Sequence, residues 1–229
     1  MRKKIRKFDL ALVTSQVDKN ILEKKIEKQN IYVLKNGMTI ENIPKPLGGG
    51  NKNQILFVGK YDYGPNLEGF FFFYENIFPL IKKRYPHIKL CAVGGNPTET
   101  MLEISRTDKS VIVTGLVEET IFYYNSSSVA VVPLKSGSGT RFKILESFAF
   151  KVPVVSTSIG CEGIDVVDRK HLLVADEPKM FADAVVELIE NQSLVQKICE
   201  NAFQLVSSQY SWERIINNFK KEIDVLLQS

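Results

Sequence analysis

The run Leu134-Lys-Ser-Gly-Ser-Gly-Thr-Arg-Phe-Lys-Ile-Leu-Glu146 sets two cations and a carboxylate just beyond a pair of glycines. Arg141 and Lys143 stand at the predicted amino end of a helix, where free N–H groups and the positive end of the dipole favour anions. That combination suits a diphosphate. Gly137, Ser138, Gly139 and Thr140 carry little side-chain bulk, and glycine lets the backbone turn sharply and approach a ligand closely. Glu146 lies five residues past Arg141, about 7.5 Å along a helix axis. It borders an apolar stripe of Phe142, Leu145 and Ala149, with Ile144 and Phe148 widening the apolar surface. A carboxylate beside a buried face must find donors, because desolvating it alone is costly. Two vicinal ribose hydroxyls would serve; a solvated glutamate paired with Arg141 or Lys143 is the plain alternative.

These residues need a strand before them and a helix beneath them. Val129-Ala-Val-Val-Pro133 reads as a buried strand closed by proline at the carboxyl edge of a sheet. The pattern continues in both directions: strands at Gln54–Val58, Lys89–Val93, Val111–Val113 and Val152–Val155 alternate with helices at 66–84, 97–105, 118–125 and 141–150. A further apolar run, Leu172–Val174, precedes helices that include Phe181 to Leu188, 193–207 and 211–227. Such βα alternation predicts an α/β fold with a doubly wound parallel sheet and ligand chemistry at the carboxyl ends of its strands. The consecutive Phe70, Phe71, Phe72 and Phe73 cannot all share one helix face, and core packing explains them better than a ligand platform. Upstream, Phe8–Val13 and Ile31–Leu34 read as strands flanking a helix capped by Ser15 and running to about Lys28. Asn36-Gly37 reads as a turn, and Pro44, Pro46 and Gly48-Gly-Gly50 as a linker.

Val131-Val-Pro-Leu, the glycine-rich run to Glu146, Lys151-Val-Pro-Val-Val-Ser-Thr157 and Gly160-Cys-Glu-Gly163 together resemble the group 1 glycosyltransferases of the GT-B fold. Leu56-Phe-Val-Gly59, Tyr63-Gly-Pro-Asn66, Ala92-Val-Gly94, Val113-Thr-Gly-Leu-Val117, His171-Leu-Leu-Val174 and Tyr210-Ser-Trp212 agree in order. The likeness covers roughly residues 50 to 215 and implies a Rossmann-like nucleotide-sugar-binding half over 47–229, preceded at 1–46 by a short αβ remnant of an acceptor-binding domain and its linker. Most of that acceptor domain would then be absent from this chain, which is expected to bind donor and transfer poorly alone.

The resemblance assigns Glu146 to the ribose diol, and Arg141, Lys143 and amides near Gly139 and Thr140 to the departing diphosphate. Lys60 stands where relatives often place a phosphate-binding arginine. Gly59, Lys60, Gly115, Val117, Ser138, Gly139, Thr140 and Leu145 make up the implied substrate-binding set, with the Gly115–Val117 loop meeting the base. Ser138 replaces an acidic residue that often touches the transferred sugar. Implied are a UDP- or GDP-linked sugar donor, a glycan or lipid-linked acceptor, retention of configuration and a place in surface or capsular polysaccharide synthesis. A binding subunit that requires a separate acceptor-domain partner, or a sugar-nucleotide epimerase, are the alternatives; the scarcity of in-chain acid/base groups argues against the second.

Composition bounds the rest. With 44% hydrophobic and 24% charged residues in 229 positions, the chain can bury one substantial core. There is no apolar run of ~18 residues, and the basic start Met1–Lys7 leads into no secretory signal, so a cytoplasmic location is expected, with contact at the inner membrane face as an option. Residues 1–30 hold nine Lys or Arg against four Asp or Glu, leaving 21 against 22 elsewhere. That basic start could meet an anionic membrane, whereas nucleic acid is a poor partner for a cluster without interleaved aromatics. Cys91, Cys161 and Cys199 have no disulfide or zinc spacing. No Asp-x-Asp pair offers to bridge a metal to a diphosphate, so no metal or cofactor is expected. Phe142 stands where a third glycine would complete Gly-x-Gly-x-x-Gly, and no P-loop pattern is present.

Overall fold

The structure, a computed structural model, describes residues 8–25, 30–40, 53–137 and 139–228. Six short runs rich in β-branched and aromatic residues form its larger sheet: β3 (Gln54–Val58), β4 (Lys89–Val93), β5 (Val111–Gly115), β6 (Val129–Val132), β7 (Val154–Ser156) and β8 (Leu173–Val174). β1 (Ala11–Val13) and β2 (Ile31–Val33), joined through α1 (Gln16–Lys25), make a separate parallel pair. The expected doubly wound architecture is present. All pairings in the larger sheet are parallel and its order is β5-β4-β3-β6-β7-β8. The winding therefore reverses between β3 and β6, where the loops after two neighbouring strands diverge and leave a crevice at the carboxyl edge.

Successive residues of each strand serve opposite faces. Ile55 and Phe57 of β3, with Leu90, Ala92, Val129 and Val131, pack under α2 (Gly64–Phe72), α3 (Phe78–Arg84) and α7 (Pro178–Glu190). Leu56, Cys91, Val93, Ala130 and Val132 pack beneath Tyr124 of α5 (Ile121–Asn125), α6 (Phe142–Ala149) and α8 (Gln192–Gln209). Burial on both faces is why the strands read as continuous apolar runs. The remaining helices are α4 (Glu99–Thr107), which Thr98 caps through its side chain, and the terminal α9 (Trp212–Gln228).

Four expectations need correction. The helix predicted over 66–84 is broken by a π-helical turn at Phe73–Ile77. Pro79 has no N–H to give to Glu75 and its ring crowds that carbonyl, so the chain widens and the Phe78 amide reaches back to Phe73 O. The wide turn lets both Phe73 and Phe78 enter the core while Phe71 and Phe72 stay half-buried. Phe142, assigned to the buried stripe, is 44% exposed; the buried face of α6 is Ile144, Leu145, Phe148 and Ala149. The predicted strand over 152–155 begins at Val154, after Pro153. Finally, Asn36-Gly37 makes no turn, because the chain runs on to a parallel bridge between Met38 and Ser211. The basic start, the Pro44–Gly50 linker and Ser138 lie outside the described residues.

Candidate functional site

Two loops at the β3/β6 crevice come from opposite directions of the winding. After β3, Gly59 donates its amide to Val93 O (2.9 Å), and a Cβ added at Gly94, whose φ is +143°, would lie 1.9 Å from Gly59 O. Backbones there pass too closely for any side chain at 94. After β6, the chain passes Pro133 and Leu134 into the glycine-rich loop, with Gly137 and Gly139 at φ +108° and +90°. Gly160 donates to Thr157 Oγ1 (2.9 Å) while Thr157 Oγ1 also donates to Leu134 O. The loop after β7 is thereby fastened to the start of the glycine-rich loop.

Arg141 is only 5% exposed, and its Nη2 donates to Gly137 O (3.0 Å) and Ile159 O (3.3 Å). It ties those same two loops together at the amino end of α6, where no side-chain cap is made among the described residues. Lys143, one residue inside α6, reaches across the crevice and donates to Asn66 Oδ1 (2.7 Å), with its Nζ 5.3 Å from the centre of the Phe57 ring. Burial, aided by the neighbouring Arg141 charge and opposed by Glu146, pushes its pKa down to about 7. Glu146 is half-buried, and its Oε2 accepts from the hydroxyl of Tyr124 (2.9 Å). Burial holds its pKa above the ordinary carboxylate value, against the pull of Tyr124 and Lys143. The helix α6 thus presents a cation and a carboxylate three residues apart on one face.

The other predicted residues fall around this pair at different depths. Lys60 projects outward, its side chain 69% exposed and 3.6 Å from Asp62, while its carbonyl accepts from Asn66 Nδ2 (2.8 Å). Gly115 has φ +71°, accepts from Gly94 N (3.2 Å), and leads to Leu116, 85% exposed, and half-buried Val117. Thr140 accepts through Oγ1 from Asn36 Nδ2 (3.0 Å), so the amino-terminal segment touches the edge of the glycine-rich loop. Leu145 is fully buried in the core below, which leaves its side chain a packing role. Among the described residues nothing lies within 4 Å of a Cβ added at Gly139.

Two residues of the site carried no assignment from sequence. Tyr124 is fully buried with its hydroxyl on Glu146, and Asn66, 7% exposed, bridges Lys60 and Lys143. Asn66 stood inside the quoted Tyr63-Gly-Pro-Asn66 run, and Tyr124 precedes a strand in a run of aromatics; neither announces a partner 77 or 22 residues away. Among the described residues no three His, Cys, Asp or Glu gather as a metal would need, and no helix is long and apolar enough to cross a membrane.

A family model described as "Glycosyl transferases group 1" matches residues 52–191. An "Uncharacterized 44.6 kDa protein in cps region" of Klebsiella pneumoniae is 29% identical over 175 residues, covering 73% of this chain and 45% of the relative. An "Uncharacterized glycosyltransferase" of Methanocaldococcus jannaschii is 24% identical over 238 residues, covering 97% of this chain and 60% of the relative. The chain therefore spans about half the length of these relatives. Among solved structures, Anabaena HepE in complex with UDP and glucose superposes with a TM-score of 0.77 at 15% identity, over 94% of this chain and 63% of that one.

Proposed function

This chain belongs to the group 1 glycosyl transferases, and on that premise we propose that it binds a nucleotide diphosphate sugar at the β3/β6 crevice and takes part in moving the sugar to a glycan or lipid-linked hydroxyl. One observation carries the reading: Lys143 and Glu146, projecting from one helix, meet partners from two other elements at the point where the winding reverses. Glu146, with one oxygen held by Tyr124, keeps acceptor capacity for a ribose diol. Lys143, which donates to Asn66 Oδ1, has three ammonium protons and can offer others to a phosphate.

As the bond from the anomeric carbon to the diphosphate breaks, negative charge grows on the leaving oxygen. Lys143 and the amino end of α6 would meet it without a metal, in a site whose partial burial strengthens the interaction. Arg141 contributes by shaping the loop and adding its field. The acceptor hydroxyl would attack from the face the nucleotide leaves, giving retention. A UDP-linked donor is supported by the UDP bound in the structurally similar HepE, and a role in surface polysaccharide assembly by the cps-region relative. The work would take place in the cytoplasm, where nucleotide sugars are made.

Titration calorimetry with UDP- and GDP-sugars tests this. Wild type should bind one class, and Glu146→Ala should bind at least roughly tenfold more weakly, since hydrogen bonds to a charged group contribute about 1.5–3 kcal/mol each. Wild type indifferent to both classes would overturn the reading.

A further inference from the structure

Asn66 meets the site only through Lys143, and both ends of its amide are engaged. Nδ2 donates to Lys60 O (2.8 Å), on the loop after β3, and Oδ1 accepts from Lys143 Nζ (2.7 Å), on the helix after β6. The orientation is fixed, since a carbonyl can only accept and an ammonium only donate. The fit is close. A Cβ at Gly59 would lie 2.8 Å from Asn66 Cγ, so glycine at 59 is the condition for this amide to enter the crevice.

Resting on the nucleotide-sugar reading, we propose that Asn66 is a positioning residue: it holds the Lys143 amine at the phosphate subsite and fixes that subsite to the loop after β3. The link also sets where Lys60 leaves the sheet, so two of the three predicted cations, Lys60 and Lys143, are tied to one neutral side chain. The titratable groups facing Lys143 are Arg141, at the cap of its own helix, and Glu146 within it, with Tyr124 beyond Glu146 from α5. Between them the amine is held close to its titration point at neutral pH. A diphosphate would favour the charged form, so the nucleotide should bind with proton uptake and weaken as pH rises above 7.

The test is titration of the full chain with UDP and with GDP from pH 6 to 9, in wild type, Asn66→Asp, Asn66→Ala and the same changes in a Lys143→Gln background. Asn66→Asp keeps the volume but faces Lys60 O with an acceptor and gives Lys143 a carboxylate. It should weaken binding by roughly tenfold and move the inflection to higher pH, and Asn66→Ala should weaken binding as well. In the Lys143→Gln background both changes should lose most of their effect, because Asn66 acts through that amine. Thermal melting separates this from misfolding, since a purely structural asparagine would lower stability without moving the pH inflection. Wild-type affinity and inflection in both Asn66 variants, with wild type binding, would overturn the inference alone. Silence of wild type toward both nucleotides would sink the function reading and this inference with it.

Discussion

Lys143 and Glu146 are buried where a charge is costly. Burial lowers the pKa of the amine to about 7 and raises that of the carboxyl, so each disfavours folding in its charged state. For Lys143 the sign is explicit. Between pH 7 and 10.5 the folded amine binds fewer protons than the unfolded one, so its contribution to stability improves as pH rises. Replacing it with methionine should therefore raise the melting temperature most at or below pH 7, with the gain over wild type shrinking toward pH 10. A gain that stays constant across that range would contradict the buried-amine account. Tyr124→Phe should cost about 0.5–1.5 kcal/mol of stability at most and weaken nucleotide binding several-fold, because Glu146 would lose the donor that aims it. Affinity unchanged by that variant would leave Tyr124 a packing residue only.

At the scale of elements, the loops after β3 and β4, on one side of the crevice, pass too closely for a side chain at position 94. Gly94→Ala would place a methyl 1.9 Å from Gly59 O at φ +143°, so backbone must move, and a loss of several kcal/mol or failure to fold is expected. Gly64→Ala meets nothing within 4 Å and should change the melting temperature little. Equal effects of the two would show that the close approach is not a requirement. The strand at 129–132, the βα alternation and the placement of Glu146 near a helix start were all readable in sequence, since each depends on local period and on proline or glycine punctuation. The π-helical turn was not: one helix was expected straight through Pro79, and whether it would end, kink or widen there depended on the room that Phe73, Phe78 and Phe181 find together. Exposure of Phe142 was likewise hidden, because the stripe of α6 is chosen by which strands lie beneath it.

Across the whole molecule, the segment from Lys35 to Met38 is stitched to the far end of the chain. Met38 N donates to Tyr210 O (2.8 Å) and Trp212 N to Met38 O (3.2 Å), while Lys35 lies over the Tyr210 ring and pairs with Asp165. Tyr210 is buried, and its oxygen accepts from Asp165 N (3.0 Å). One side chain thus joins the amino-terminal segment, the loop before β8 and the end of α8. Tyr210→Ala should cost about 3–5 kcal/mol by denaturant melting, and Tyr210→Phe about 1 kcal/mol. The Asn36–Thr140 bond then connects this seam to the glycine-rich loop. Sequence marked a break at Asn36-Gly37; only the long-range pairing with residues 210–212 shows why the chain stays extended there.

The central claim is that Glu146 grips the ribose of a nucleoside diphosphate while Lys143 meets its phosphates. A calorimetric cycle with UDP or GDP and its 2′-deoxy counterpart, in wild type and Glu146→Ala, measures that contact directly. Wild type should favour the ribonucleotide by roughly tenfold, one hydrogen bond to a charged group, and the variant should bind both forms alike. The same preference in both proteins, or none in wild type, would contradict it.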